Sequence, residues 1–373
     1  MSARRIVVKV GSGLLAGWGT RLDRAVAEDV VAQVCDVRAG GVEVVLVSSG
    51  AVALGCERLG LERRPTDIPS VQAAAAIGQG DLMALYARAF GAHGATVAQV
   101  LLTHADLADR RRFLNARHAL GRLLSLDAVP VVNENDTVAV EELKVGDNDN
   151  LAAHVTNLVG ADLLIILTDQ DGLHTADPRT DPDARRIAIV HEGDALPDGV
   201  AGGAGRALSV GGMATKVEAA RRTAASGVGT VLANGRMPGV LRRAVAGEDL
   251  GTRFEPSEQR IGSRKAWIAG LHPAGRLVVD AGAARALVEQ GRSLLPAGIR
   301  EVLGEFDGGD PVVILGPDRA GVAQGLVAYG SDELRAIQGL RTNEIEGALG
   351  YHMGDAAVHR DDLVVARGAA SPK

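Results

Sequence analysis

Ile6-Val7-Val8-Lys9-Val10 runs straight into Gly11-Ser12-Gly13, and the rest of the chain is most easily read outward from this octet. The run is apolar throughout rather than alternating, which is how a strand covered on both faces of a parallel sheet reads. A lysine inside such a strand is costly to bury unless it is paired or meets a ligand. The two glycines that follow let the backbone approach an anion closely. A tight turn with Lys9 on a sheet edge would satisfy the same letters, so the octet alone leaves phosphate binding and plain structure both open.

Similar strands recur downstream at Val42–Val47, Thr96–Leu101, Val129–Val132, Leu163–Leu167 and Thr230–Leu232, each nearly all apolar. Between them lie segments of helical spacing: Arg24–Ala39, Asp81–Ala92, Ala108–Ser125, Asn150–Leu158 and Thr215–Ala225. Alternating strand and helix predicts an α/β fold, a doubly wound, mainly parallel sheet sandwich with right-handed crossovers. The pattern changes near residues 250–275, where Pro, Gly and charge appear without helical period. Shorter strands then follow at Arg276–Asp280, Glu301–Gly304, Pro311–Leu315 and Gly325–Tyr329, with one helix at Ala281–Gln290. The expected organisation is a large domain over 1–260, a linker at 261–273, a small mostly-β domain at 274–352 and a tail at 353–373.

The chain has 373 residues, a formal net charge of −6 and 23% charged residues, in the range of soluble globular proteins. Aromatic residues make up only 2%, which counts against a dedicated nucleic-acid binder. Cys35 and Cys56 are too few for a disulfide framework or a four-ligand zinc site, so buried free thiols in a reducing cytoplasm are expected. No apolar stretch approaches a membrane span or a signal-peptide core. The cations are lopsided: of 40 Lys and Arg residues only five are Lys, namely Lys9, Lys144, Lys216, Lys265 and Lys373.

In an open parallel sheet, ligands bind beyond the carboxyl ends of the strands, and the polar clusters fall there. Ser48-Ser49-Gly50 follows the second strand, and reads either as a helix N-cap or as donors to an anion. Asn133-Glu134-Asn135-Asp136 follows the fourth, where Asp136 suits the ammonium group of an amino-acid substrate, an Asx-turn loop being the plainer reading. Lys144-Val145-Gly146-Asp147-Asn148-Asp149-Asn150 leads into a helix and fails the calcium-loop template. Asp149 can orient two lysines from there. Leu163–Leu167 ends in Thr168-Asp169, and Gly211-Gly212-Met213-Ala214-Thr215-Lys216 opens a helix with what a nucleotide phosphate needs. There is no Walker A loop, no nucleophile elbow and no zinc-protease motif, and none of these clusters contains a histidine. Phosphoryl transfer to a carboxylate fits that inventory, because the acceptor is already ionised and the transition state asks for placement and cations. Lys9, Lys144 and Lys216 put three of the five lysines in these loops.

Taken together, Val8-Lys9-Val10-Gly11-Ser12, Ser48-Ser49-Gly50-Ala51, Arg112-Phe113-Leu114-Asn115-Ala116-Arg117, Asn133-Glu134-Asn135-Asp136, Gly146-Asp147-Asn148-Asp149-Asn150, Thr168-Asp169 and Gly211–Lys216 resemble the glutamate 5-kinase family of the amino acid kinase superfamily. The C-terminal stretch resembles a PUA domain. The resemblance implies phosphorylation of L-glutamate on its side-chain carboxylate by ATP with Mg²⁺, the first step of proline synthesis. It implies that Lys9 and Lys216 bracket the transferring phosphoryl group and that Asp149 organises them. Ser49, Asp136 and Asn148 would hold glutamate. Lys9, Thr168, Asp169 and the loop Val210, Gly211, Gly212, Met213, Ala214, Thr215 and Lys216 would hold ATP, with no protein ligand to a metal. Feedback inhibition by proline and homo-oligomer formation are further family traits. The family's loop usually begins with Thr and carries Ser or Gly before its Thr-Lys, places taken here by Val210 and Ala214. PUA domains often bind RNA, but residues 274–352 carry seven Arg and no Lys against eleven Asp and Glu, a net charge of −4. That charge repels a phosphate backbone, so nucleic acid is not an expected partner and a structural or regulatory role is. Kinases of aspartate or N-acetylglutamate within the same superfamily, and an RNA-binding protein built on the PUA-like unit, are the competing readings.

Overall fold

A computed structural model of the chain describes residues 3–16, 20–139, 147–178, 180–196, 212–257, 268 and 271–365. Lys144, Val210 and Gly211 lie outside the described residues, as do most of the expected linker and the last eight residues. The chain divides into two compact units, one made of residues 1–108 and 119–260, the other of residues 109–118 and 261–373. The second is therefore not one continuous stretch.

In the first unit, strands β1 (Arg5–Val10), β2 (Glu43–Ser48), β3 (Val97–Leu102), β4 (Val129–Glu134), β5 (Leu163–Thr168), β6 (Ile189–Val190), β7 (Gly229–Asn234) and β8 (Thr252–Phe254) form one sheet in the order β3-β4-β2-β1-β5-β7-β8-β6. Pairing is parallel except between β7 and β8. The apolar runs of β1 and β5 are buried as their composition demands. β3 departs from that expectation: it lies at the edge of the sheet and most of its residues are half-buried or exposed. An edge strand pairs on one side only, so its apolar letters do not guarantee two covered faces. β6 and β8, two and three residues long, are too short to register as periodic signals.

The helices of this unit are α1 (Ser12–Ala16), α2 (Arg24–Ala39), α3 (Ala51–Leu59), α4 (Ile68–Gly91), α5 (His104–Ala108), α6 (Arg110–Ser125), α7 (Asp147–Val159), α8 (Met213–Ala225) and α9 (Val240–Ala246), the first half of α6 counting with the second unit. Two of their starts follow ordinary capping chemistry. The Asp23 side chain accepts from the Val26 N–H at the head of α2, and Asp67 accepts from Ser70 N–H at the head of α4. Helix α4 begins well before the expected Asp81, because Gly78 and Gly80 interrupt the helical signal. Gly78 is there for packing: a Cβ on it would lie 1.9 Å from the Ala51 carbonyl oxygen of α3. Gly55 of α3 answers it, since a Cβ there would lie 1.8 Å from the Ala74 carbonyl oxygen. The two helices meet backbone to backbone.

The second unit holds a five-stranded sheet of β9 (Gly275–Val279), β10 (Ile299–Leu303), β11 (Pro311–Leu315), β12 (Gly321–Val327) and β13 (Val358–Val365), ordered β10-β9-β11-β12-β13. Its core gathers Leu277, Val279, Ile314, Val327, Tyr329 and Leu363 among others. The helix Ala281–Gln290 falls where its spacing placed it. Residues 353–373 were expected as a tail, but Val358–Val365 pairs antiparallel with β12 and closes that side of the sheet. The charged letters His359-Arg360-Asp361-Asp362 hid this strand: the first three are exposed, and Asp362 is buried and paired with Arg117. Among the described residues no helix is long and apolar enough to cross a membrane.

Candidate functional site

Three charged side chains meet at the carboxyl edge of the large sheet, carried by a strand and two helices. Lys9 comes from β1, which lies between β2 and β5 with Lys9 level with Val47 and Ile166. Asp149 comes from the first turn of α7 and Lys216 from the first turn of α8. Lys9 Nζ lies 2.5 Å from Asp149 Oδ1 and Lys216 Nζ lies 3.1 Å from Oδ2. The Thr215 hydroxyl lies 2.8 Å from the same Oδ2. Asp149 is fully buried, and the two lysines are 4% and 7% exposed, so the contacts are nearly dry.

Burial by itself would raise the Asp149 carboxyl, but the Lys9 and Lys216 ammonium groups and the hydrogen bonds from Lys9 and Thr215 hold it below the usual carboxylate range. Burial pushes Lys9 down, Asp149 opposes this, and the neighbouring Lys216 adds to the lowering. Two cations around one anion leave the trio formally positive, a poor arrangement for stability alone and a good one for meeting phosphate oxygens. Gly11 keeps the approach open, since a Cβ on it would stand 3.3 Å from Lys9 Nζ.

On one side of the trio lies a chain of amide and hydroxyl groups. Asn148, next to Asp149, donates from Nδ2 to the Ser48 carbonyl at 3.1 Å, to Ser49 Oγ at 3.0 Å and to Asn133 Oδ1 at 3.0 Å. The Glu134 N–H also donates to Asn133 Oδ1, at 2.9 Å. Asn133 Nδ2 donates to Gln79 Oε1 of α4 at 2.8 Å. Ser48 Oγ donates to the Ser49 carbonyl and so receives the hydroxyl proton of the buried Tyr86, 2.7 Å away. Burial pushes the Tyr86 hydroxyl up to about 12, the Ser48 contact opposing this, and it stays protonated. Gly50 turns the chain from β2 into α3 at φ +111°, a conformation that suits glycine. Asp136 sits half-buried just beyond β4.

Opposite lies the loop-and-helix face expected for a nucleotide. Thr168, at the end of β5, is 4% exposed, and its hydroxyl donates to the exposed Asp169 at 3.0 Å. Gly212 caps α8 without any side-chain cap bond, so the N–H groups of Met213, Ala214 and Thr215 in the first turn are not satisfied by a cap. Ala214 offers no hydroxyl, and the gripping chemistry at that place is backbone. The structure thus brings Lys9, Asp149, Lys216, Thr215, Asn148 and Ser49 into one connected set, with Thr168 and Asp169 at the end of the strand beside β1. Among the described residues, no group of three or more His, Cys, Asp or Glu side chains could hold a metal ion.

Three members of the hydrogen-bonded chain escape a sequence reading as site residues: Gln79, Tyr86 and Asn133. Asn133 was visible in its polar quartet. Gln79 sits in an Ala-rich helical run, and its only signal is the neighbouring Gly78, which marks a close crossing rather than a site.

Comparison with known proteins finds two families along the chain. The model of the amino acid kinase family matches residues 4–234, and that of the PUA domain matches residues 275–349. A protein of Anaeromyxobacter dehalogenans called glutamate 5-kinase is 54% identical over 366 residues, covering 97% of this chain and 96% of its own length. Another of that name, from Geobacter sulfurreducens, is 50% identical over 363 residues, 97% of each chain. A third, from Chromohalobacter salexigens, is 52% identical over 364 residues, covering 97% of this chain and 96% of its own length.

Proposed function

The chain belongs to the amino acid kinase family, in its glutamate 5-kinase branch, and from that premise we propose how its residues carry the reaction. It transfers the terminal phosphoryl group of ATP to the side-chain carboxylate of L-glutamate, giving L-glutamyl 5-phosphate, the step that opens proline synthesis. Lys9 and Lys216 face the transferring phosphoryl group from two sides, where negative charge spreads over its oxygens in the transition state. Asp149 fixes the spacing of the two ammonium groups. Ser49, Asn148 and Asp136 hold the amino acid, with Asp136 taking the ammonium group. Thr168, Asp169 and the loop from Val210 to Lys216 hold the nucleotide. The observation that carries this reading is the buried Lys9–Asp149–Lys216 trio.

Mg²⁺ would arrive on the ATP phosphates, neutralising part of their charge, and the site's own complement of ammonium and N–H donors suits phosphate oxygens rather than the ion. The acceptor oxygen needs no proton removed, consistent with the lack of a histidine in the site loops. Proline shares the ammonium and carboxylate of glutamate and would compete at the same groups. A homo-oligomer in the cytoplasm completes the reading.

The test is to incubate the protein with ATP, Mg²⁺ and hydroxylamine and score hydroxamate from glutamate, aspartate and N-acetylglutamate. Glutamate is the expected acceptor. Turnover with aspartate and none with glutamate would overturn the assignment.

A further inference from the structure

Two buried polar atoms in the acceptor half have no hydrogen-bond partner: Gln79 Nε2 and Asn148 Oδ1. They are opposite ends of one relay. Gln79 Oε1 accepts from Asn133 Nδ2, which obliges Asn133 Oδ1 to be the oxygen facing Asn148. Asn148 must then turn its Nδ2 inward, to Asn133, Ser49 and the Ser48 carbonyl, and leaves its Oδ1 over. The Glu134 N–H on Asn133 Oδ1 fastens the same orientation from the backbone. One amide NH2 group and one carbonyl acceptor are therefore left without protein partners by a network whose every other amide atom is engaged.

An unmet donor and acceptor below the surface are each costly, and a native fold keeps such a pair where something else satisfies it. A small zwitterion satisfies both at once, with a carboxylate for the donor and an ammonium for the acceptor. We infer that Gln79 is a specificity-determining residue of the acceptor site, its Nε2–H donating to a carboxylate of the bound amino acid while its Oε1, through Asn133, sets the face that Asn148 shows the substrate. Helix α4 can deliver this side chain because Gly78 lets it lie on the start of α3, directly after Ser49-Gly50. The inference rests on the glutamate kinase reading and names a residue that reading does not include.

The test uses the full chain and steady-state kinetics with glutamate and ATP varied separately. Gln79→Met removes both amide roles, while Gln79→Glu keeps an accepting oxygen and replaces the donor with a charge that repels a carboxylate. Both should raise the glutamate KM by about tenfold or more, with the ATP KM and the melting temperature near the parent values and kcat within a few-fold. Combined with Asn148→Ala, Gln79→Met should add little further to the glutamate KM, because both act on one site. An unchanged glutamate KM in Gln79→Glu overturns the carboxylate contact, and fully additive effects in the double variant overturn the relay. Should Gln79→Met fail to fold, the isosteric Gln79→Glu still decides the contact. A parent protein inactive on glutamate would instead sink the underlying reading, so the two failures are told apart.

Discussion

At the scale of single residues, the site depends on holding like charges together. Asp149 raises the proton affinity of Lys9, which burial and Lys216 both lower. A lysine whose pKa is depressed loses its charge earlier as pH rises, so the alkaline limb of kcat/KM for ATP should lie below the ordinary lysine value. Asp149→Asn removes the one influence that keeps Lys9 charged, and should move that limb to still lower pH. It should also reduce kcat by about 10²–10³-fold through lost alignment of the cations. Profiles of both proteins between neutral and alkaline pH check this; an alkaline limb that stays put in the variant would show that Lys9 does not report on Asp149. These residues were legible from sequence because lysine is so scarce here that Lys9 and Lys216 stood out beside glycines. Gln79 was not legible. Its partner Asn133 is distant in sequence and its role exists only once α4, β4 and α7 are assembled, which no local window contains.

At the scale of elements, the close crossing of α3 and α4 does most to place the acceptor half. Gly78→Ala should cost about 3 kcal/mol or more, because the added carbon would fall 1.9 Å from a backbone oxygen that cannot swing aside. Gly80→Ala, with nothing within 4 Å of the added carbon, is the matched control and should be neutral or stabilising by about 0.5–1 kcal/mol. Chemical denaturation of the two variants decides; equal stabilities would contradict the packing account. The same pair shows why the helix was misjudged from sequence. Both glycines weaken the helical signal alike, yet one is indispensable to packing and the other is incidental, a difference set by a neighbour more than twenty residues away. Strand β13 failed for the converse reason: its polar outward face mimics a solvated tail. The central strands, apolar on both faces, left no such ambiguity.

At the scale of the whole molecule, the trio Lys9, Asp149 and Lys216 lies wholly in the first unit, and the second unit contributes none of it. A chain ending at residue 260 should therefore keep phosphoryl transfer to glutamate. It should also melt at a lower temperature, because Leu114, only 4% exposed, belongs to the segment 109–118 that is grouped with residues 261–373. The hydroxamate assay and calorimetry on the truncated chain check both halves, and a folded truncate without turnover would contradict the first. The alternation of strands and helices made the two-part organisation readable in advance, whereas the borrowed segment 109–118 was not, since nothing in its letters says which core it joins.

That borrowed segment also sets a timetable for synthesis. A chain emerging from its N-terminus presents residues 109–118 long before residues 261–373 exist. At roughly 5–20 residues per second, residue 261 follows residue 118 by roughly 7–30 seconds. Through that interval helix α6 must hold its C-terminal half in the first unit while its N-terminal half, Leu114 included, waits without its companions. The second unit thus cannot assemble until its C-terminal residues have been made, and segment 109–118 is where a stalled or truncated nascent chain would first offer apolar surface to a chaperone.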